Sequence, residues 1–266
     1  MAKTDLRILV VQTRYALLVA VRNSRVIVFG LIFPAFLLVL FDSIFTSGKD
    51  ATTHFGGGVI DTKAYFTAGL ASYAIMLQTF TSLLISVTTQ RETGQLKRLR
   101  GTPMPTWTFI GAYLLRSIVL VVAMVTLLFA IGVVGFGVRL HGAGLVGMVV
   151  YVTLGTATFA TLGIAMTILT PTVDGASSVG PFAAVILSFI SGVFLPLTLL
   201  PHWLRSVGQF FPLYHLSDGL HRSVVRGTGA TGLDATDLLV LAAWAGVGIV
   251  LAVRRFRWEP QGAGRT

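Results

Sequence analysis

Six long apolar blocks, separated by polar segments, dominate the pattern of this sequence. A helix of roughly 20 apolar residues crosses the hydrocarbon core of a bilayer, and each block approaches that length. The pattern therefore predicts an all-α integral membrane protein, with residues 1–266 forming a single transmembrane domain. The predicted spans are 26–45, 64–87, 109–136, 145–169, 179–200 and 238–253.

The fourth block is rich in small residues. Helices in lipid associate through close backbone packing, so small side chains mark the side on which a neighbouring helix approaches. We expect this helix to pack inside a bundle. The residues concerned are Gly155, Ala157, Thr158, Ala160, Thr161, Gly163 and Ala165.

Residues 1–25 predict an amphipathic helix that lies in the membrane interface. On a helical wheel the basic residues share one face, while most of the apolar residues lie elsewhere. The basic face would meet anionic headgroups and the apolar remainder would reach the acyl boundary. A plain cytoplasmic lead-in, whose arginines only set topology, is the alternative. The expected anchoring residues are Arg7, Arg14, Arg22 and Arg25.

Lys and Arg are concentrated before the first span, after the second span and after the last one. Because cytoplasmic loops carry the excess of these residues, both termini are predicted to be cytoplasmic. We expect a multi-pass protein of the plasma (inner) membrane.

The composition agrees with a membrane protein and excludes several kinds of partner and site. Hydrophobic residues make up 54 % of the chain and charged residues only 11 %, whereas charged residues reach about 25 % in soluble domains. The net charge of +10 is explained by topology, and because no polar domain carries it, no nucleic-acid partner is expected. Without cysteine, the chain can form no disulfide and no thiolate metal site.

The predicted spans lack the groups that would power transport from within. Proton-coupled pumps place titratable side chains deep in the membrane, but here the most polar mid-span residue is Gln78, which we expect to hydrogen-bond a neighbouring helix. The sequence has no GxxxxGK[ST] motif, so ATP and Mg²⁺ are not expected to bind this chain. We expect neither catalytic residues nor a cofactor.

One external segment contains three histidines, His202, His215 and His221. Too few further ligands accompany them to predict a metal site.

The segment 90–103, after the second span, predicts a short charged helix that ends at Gly101. Pro103 and Pro105 then redirect the chain into the third span. Leu96 and Leu99 would project as apolar side chains among basic ones, which suits docking in a partner's groove. On composition alone, a basic loop that merely sets topology is an equal alternative.

Two motifs in this chain resemble a known family. The pattern RExGxLKxLxxTP is similar to the cytoplasmic segment of ABC-2 type transporter permeases, particularly of the daunorubicin/doxorubicin-resistance branch. It is formed by Arg91, Glu92, Gly94, Leu96, Lys97, Leu99, Thr102 and Pro103. The second match comprises the segments 189–196, 200–204, 211–213 and 219–222, which resemble the family's fifth span and the external elements after it.

The resemblance implies the permease subunit of an ATP-binding cassette exporter that moves a hydrophobic compound outward. It implies two cytoplasmic ATPase subunits as partners, and a second permease copy or a sister permease. Residues 90–103 would act as the coupling helix, through the eight motif residues named above. ATP and Mg²⁺ would bind the ATPase and not this chain.

The region after the fifth span, 201–226, predicts short external helices that are partly re-entrant. Prolines would break the chain there, and aromatic side chains would anchor it at the headgroups. An ordinary external loop is the alternative. The breaks are expected at Gly192, Pro196, Pro201 and Pro212, and the anchors at Trp203 and Tyr214.

Two other functions remain open from the sequence. A carrier or channel that works alone would need no ATPase partner. A membrane-embedded lipid-modifying enzyme is disfavoured, because the spans lack buried acids, bases and metal ligands.

Overall fold

The computed structural model describes residues 2–23, 28–45, 52–55, 58–95, 106–225 and 231–255. Within these ranges the chain is mostly helical, as predicted. The helices are α1 (Ala2–Arg22), α2 (Phe33–Phe45), α3 (Thr62–Glu92), α4 (Thr106–Phe136), α5 (Gly142–Met166), α6 (Val173–Ile190), α7 (His202–Gly208), α8 (Pro212–Val224) and α9 (Ala235–Arg255).

Five of these helices, α3, α4, α5, α6 and α9, are long and apolar enough to cross a membrane. The first predicted span corresponds to α2, which has 13 residues and follows a π-helical turn at Val28–Ile32. A sixth full-length span therefore stays a prediction, and five are found among the described residues.

A small β-hairpin departs from the all-α expectation. Strands β1 (Thr52–Phe55) and β2 (Gly58–Asp61) pair antiparallel between α2 and α3, with Thr52 opposite Asp61. The segment lies between the predicted spans 26–45 and 64–87, where the apolar pattern predicts no element. Two short paired strands satisfy each other's backbone groups without needing a hydrophobic core of their own.

The fifth span lies earlier in the chain than the predicted 179–200. Helix α6 begins at Val173, where the hydroxyl of Thr172 accepts a hydrogen bond from the Gly175 amide at 3.2 Å. It ends at Ile190, shortly before Gly192 adopts the left-handed region with φ of +75°. A left-handed glycine terminates helices readily, so the apolar residues that follow belong to turns and not to the span.

Helix α3 lies at the centre of the molecule. It packs against α2, α4 and α8, and nearly all of its side chains from Ala64 to Met76 are buried. Helix α5 packs against both α8 and α9. Because α3 is covered on almost every side, a movement of its C-terminal end at Glu92 would displace most of the bundle.

A π-helical turn interrupts α3 at Leu77–Thr81 and faces the π-helical turn before α2. The buried side chain of Gln78 lies in this turn, and its carbonyl oxygen would be 2.6 Å from a Cβ built on Gly30. Gln78 therefore contacts a neighbouring helix. The hydrogen bond expected for it stays a prediction.

The small residues of α5 are packed as predicted. Gly155 lies against Leu216 of α8, and Gly163 lies against the backbone of Phe80 in α3. Thr158, also buried, donates a hydrogen bond to the carbonyl of Leu241 in α9 at 3.0 Å. Small side chains thus allow three helices to approach α5 closely.

Helix α1 packs along α4 through the buried Ala16 and Ala20. The predicted basic residues Arg7, Arg14 and Arg22 are exposed, and Arg25 lies outside the described residues. Several apolar side chains of α1 are exposed as well, among them Val10, Val11, Tyr15 and Leu18. This distribution suits a helix that contacts both lipid and the bundle, and its position in the interface stays a prediction.

We expect Gly163→Ala to destabilise the protein by about 1–3 kcal/mol, because the added methyl group would lie 2.6 Å from the Phe80 carbonyl oxygen. Gly246→Ala is the matched control. A Cβ at Gly246 meets no atom within 4 Å, and alanine favours the helix by up to about 1 kcal/mol. Thermal unfolding in detergent measures both, and equal melting temperatures for the two variants would contradict the close approach of α5 to α3.

Candidate functional site

The second span ends at a glycine cap. Gly94 has φ of +71°, and its amide donates to the Arg91 carbonyl at 3.1 Å, while the Thr93 amide donates to the Thr89 carbonyl at 2.9 Å. Arg91 and Glu92 thereby become the last two residues of α3. The motif that begins the predicted coupling segment is thus rigidly joined to the central helix.

The guanidinium of Arg91 binds the end of α5. Its side chain is only 1 % exposed. One nitrogen donates to the Thr167 carbonyl at 2.9 Å, and the other donates to the carbonyls of Thr170 and Pro171 at 3.0 and 3.2 Å. These carbonyls lie where α5 has ended, so Arg91 replaces hydrogen-bond donors that the helix no longer supplies.

The carboxylate of Glu92 binds the start of α6. Its Oε2 accepts a hydrogen bond from the Val173 amide at 2.8 Å. Val173 is the first residue of α6, and its amide is one of those that lack a partner within their own helix. Thr172 caps the same helix end through its hydroxyl.

The two charges match the two helix ends electrostatically. A helix carries partial negative charge at its C-terminus and partial positive charge at its N-terminus. Arg91 meets the C-terminal end of α5, and Glu92 meets the N-terminal end of α6. We call this set of contacts, from Arg91 and Glu92 to residues 167–173, the Arg91–Glu92 junction.

The junction changes the role expected of Arg91. The sequence predicts Arg91 among the basic residues around the projecting Leu96 and Leu99, whereas its guanidinium is buried against the chain's own α5–α6 loop. Glu92 is the last residue of α3, Gly94 follows it, and a role of either residue in coupling stays a prediction. The remaining motif residues, Leu96, Lys97, Leu99, Thr102 and Pro103, lie outside the described residues.

At the opposite end of the bundle the predicted breaks are found between short helical elements. Gly192 follows α6, Pro196 precedes a 3₁₀ turn at Leu197–Leu199, Pro201 precedes α7, and Pro212 is the first residue of α8. The proline positions agree with the expected series of short helices. Whether these helices re-enter the membrane stays a prediction.

Tyr65 of α3 holds this region to the central helix. Its hydroxyl donates to the carbonyl of Gly192 and lies 3.3 Å from the carbonyl of Leu195. The imidazole of His221 stacks on the Tyr65 ring at 4.1 Å, and its Nε2 donates to the Tyr65 carbonyl at 3.0 Å. Burial lowers the pKa of His221 to about 4, so this imidazole is neutral at pH 7.

His215 belongs to a buried charge network between α8 and α9. Its Nδ1 lies 2.7 Å from Asp237, and its Nε2 lies 2.8 Å from the Gln209 carbonyl. Both partners are acceptors, which favours an imidazolium with two donors. Burial alone would lower the pKa of His215, but the bonds to Asp237 and Gln209 and the nearby carboxylates raise it above its usual value.

Arg222 and Asp218 extend the network. Arg222 donates to Asp218 at 2.7 Å and also lies 3.4 Å from Asp234. Burial, together with repulsion from Asp237, raises the pKa of Asp218 to about 6, although Arg222 opposes this shift. His215 and His221 are thus both hydrogen-bonded to groups of the protein.

The two predicted aromatic anchors differ in exposure. The side chain of Trp203 in α7 is 66 % exposed, which suits contact with headgroups. Tyr214 in α8 is half-buried, and its hydroxyl lies 3.5 Å from the amide of Gln209. Anchoring at the membrane surface stays a prediction for both.

Several residues of these sites were missed from the sequence. Thr167 and Thr170 act through backbone carbonyls, which leave no signal in side-chain composition. Tyr65 lay in an apolar block and was counted as part of a span. For the charge network between α8 and α9, the sequence offers one signal. The spacing of Asp218 and Arg222 places them on one face of a helix.

We expect Arg91→Ala to destabilise the protein by about 2–4 kcal/mol, because three carbonyl groups lose a charged donor. Glu92→Ala should cost about 1 kcal/mol and raise hydrogen exchange at the Val173 amide. Glu92→Gln, which keeps an acceptor oxygen, serves as the control. Thermal unfolding and site-resolved exchange measure these effects, and unchanged exchange in Glu92→Ala would show that the bond is not formed.

The raised pKa of His215 predicts a pH-dependent contribution to stability. That contribution is complete below the ordinary pKa of about 6.5 and is lost as pH rises through the higher folded-state value. His215→Gln should therefore lower the melting temperature most near pH 6 and progressively less towards pH 9. Asp237→Asn should remove the same pH dependence. A difference between wild type and His215→Gln that stays constant across this range would contradict the imidazolium.

Comparison with known proteins agrees with the resemblance seen in the motifs. Residues 8–224 match the family described as ABC-2 type transporter. YvfS of Bacillus subtilis (strain 168), provisionally named a transport permease, is 21 % identical over 223 residues, which cover 84 % of this chain and 86 % of that protein. The particular likeness to the daunorubicin-resistance branch stays a prediction. The match includes the Arg91–Glu92 junction and the short helices α7 and α8. The chain therefore belongs to the ABC-2 type transporter family as a multi-pass membrane permease.

Proposed function

We propose that this chain is the membrane subunit of an ATP-driven exporter for a hydrophobic compound. In this proposal it lies in the plasma membrane with both termini in the cytoplasm. A separate cytoplasmic ATPase binds ATP and Mg²⁺, and a second copy of the chain or a sister permease completes the pathway. The family and the absence of a P-loop in the sequence support this division of labour.

The Arg91–Glu92 junction is the observation that carries the proposal. The segment that would touch the ATPase follows directly after Gly94, and the two residues before that glycine contact the loop between α5 and α6. A push on the coupling segment would therefore act on three helices at once. Because α3 also packs against α2, α4 and α8, the displacement would spread through the bundle.

The substrate class follows from the spans. Their buried surfaces are mostly aliphatic, aromatic and hydroxyl side chains, with Gln78 and Arg116 among the few exceptions, and such surfaces suit an apolar solute better than a charged one. Exposed apolar side chains such as Phe182 on α6 and Leu239 on α9 are available to lipid or to a second permease. Drugs, antibiotics and lipid-like compounds all fit this description.

The first test is capture of the tagged full chain from its native membrane, which should bring down an ATPase with a P-loop. In cells, Glu92→Ala should then reduce the ATP-dependent efflux of a panel of fluorescent hydrophobic dyes, daunorubicin included, by about tenfold. Membrane insertion and capture of the ATPase should remain normal, because the lost contact lies inside the permease.

Asp174→Ala is the matched control for this experiment. It removes another carboxylate from the first turn of α6 without removing the contact to α3, so efflux should remain near wild type. Dye flux through the purified chain alone in liposomes, without ATP, would instead identify an independent carrier. Labelling of a Gln95→Cys variant from the external side would overturn the proposed orientation, and the cysteine-free background makes this assay specific.

A further inference from the structure

A cavity of about 800 Å³ lies between α1, the end of α3 and the beginning of α4. It is at the same end of the bundle as the Arg91–Glu92 junction, because Thr89, Gln90 and Gln95 contribute to its wall. Its volume falls in the range of small-molecule sites, about 300–1,000 Å³.

The wall of the cavity combines apolar and polar side chains. On the α1 side Val11, Tyr15 and Val19 are more than half exposed and supply most of the nonpolar surface, beside the amides of Gln12 and Asn23. Hydrogen-bonding side chains, including Ser86 and Gln90, line the side formed by α3. A ligand that matched both sides would need an apolar part and a polar head.

Arg116 supplies the charge at the polar side. It is only 5 % exposed and lines the cavity from α4. Its two terminal nitrogens lie 3.1 Å from the Ser82 hydroxyl and 3.4 Å from the Ser86 hydroxyl, and its guanidinium carbon lies 5.7 Å from the Tyr113 ring centre. These partners are uncharged.

The charge of Arg116 is not balanced by a carboxylate within the part of the chain that the structure describes. No Asp or Glu oxygen in those ranges lies within 4.0 Å of its guanidinium. An arginine cannot lose its proton in a protein, and a desolvated charge costs several kcal/mol unless it is paired. The site therefore favours an anion.

We propose that this cavity binds the phosphate headgroup of an anionic phospholipid, with Arg116 as its counter-ion. The planar guanidinium suits a phosphate, which it can bind through two parallel hydrogen bonds. The glycerol and the first methylenes of the acyl chains would lie along Val11, Tyr15 and Val19 of α1. The lipid comes from the leaflet that the proposed orientation makes cytoplasmic, and its binding requires neither ATP nor the ATPase.

The lipid would also join α1 to the bundle. In the described structure α1 packs along α4 through small side chains, and the cavity separates another part of its surface from α3. A bound headgroup would bridge α1, α3 and α4 beside the proposed coupling segment. This inference goes beyond export, and its test does not depend on knowing the substrate.

Native mass spectrometry of the purified full chain tests the proposal, with phosphatidylglycerol and phosphatidylcholine as probes. Wild type should bind one phosphatidylglycerol about tenfold more tightly than phosphatidylcholine. Arg116→Gln should abolish this preference, and Arg116→Lys should keep part of it. Arg139→Gln, which removes an exposed positive charge beyond the other end of α4, should bind both lipids like wild type.

A second variant keeps the test decisive if Arg116→Gln does not fold. Val19 is 52 % exposed, so Val19→Trp should leave the packing intact, fill part of the cavity and weaken binding of phosphatidylglycerol. Unchanged lipid preference in either folded variant would overturn the site. Complete displacement of the lipid by millimolar inorganic phosphate would overturn the lipid assignment and identify a site for a free anion.

Discussion

The end of a helix leaves backbone groups that have no partner within their own helix, and satisfying these groups organises the structure. At several of the described helix ends, side chains from other elements supply the missing partner. Arg91 binds the carbonyls after α5, Glu92 binds the first amide of α6, and Tyr65 binds the carbonyls after that helix. His215 and Trp244 do the same for the carbonyls of Gln209 and Phe210. The polar residues of the bundle are therefore concentrated where regular structure stops.

The sequence predicts the elements well because their signals are local. Apolar blocks of span length located five of the long helices, the small residues of the fourth block identified a closely packed helix, and prolines located the short outer helices. The motif around Arg91 and Glu92 identified the family. Limits of elements were less certain, since apolar residues after Gly192 have the composition of a span but the geometry of turns.

The contacts that form the sites could not be predicted, because they join distant parts of the chain. Arg91 binds carbonyls 76 to 80 residues away, and Tyr65 binds one 127 residues away. Backbone acceptors have no sequence signature, and a single sequence gives no covariation to pair such positions. Arg116 illustrates the same limit, because nothing in its position along the sequence shows that it is buried beside a cavity.

The two halves of the Arg91–Glu92 junction are unequal in strength. Three hydrogen bonds from a buried guanidinium hold the end of α5, whereas one hydrogen bond from an exposed carboxylate holds α6. Water competes for the second contact and hardly for the first. Under tension the junction would consequently release α6 while retaining α5. Helix α6 could then rotate relative to a rigid unit formed by α3 and α5.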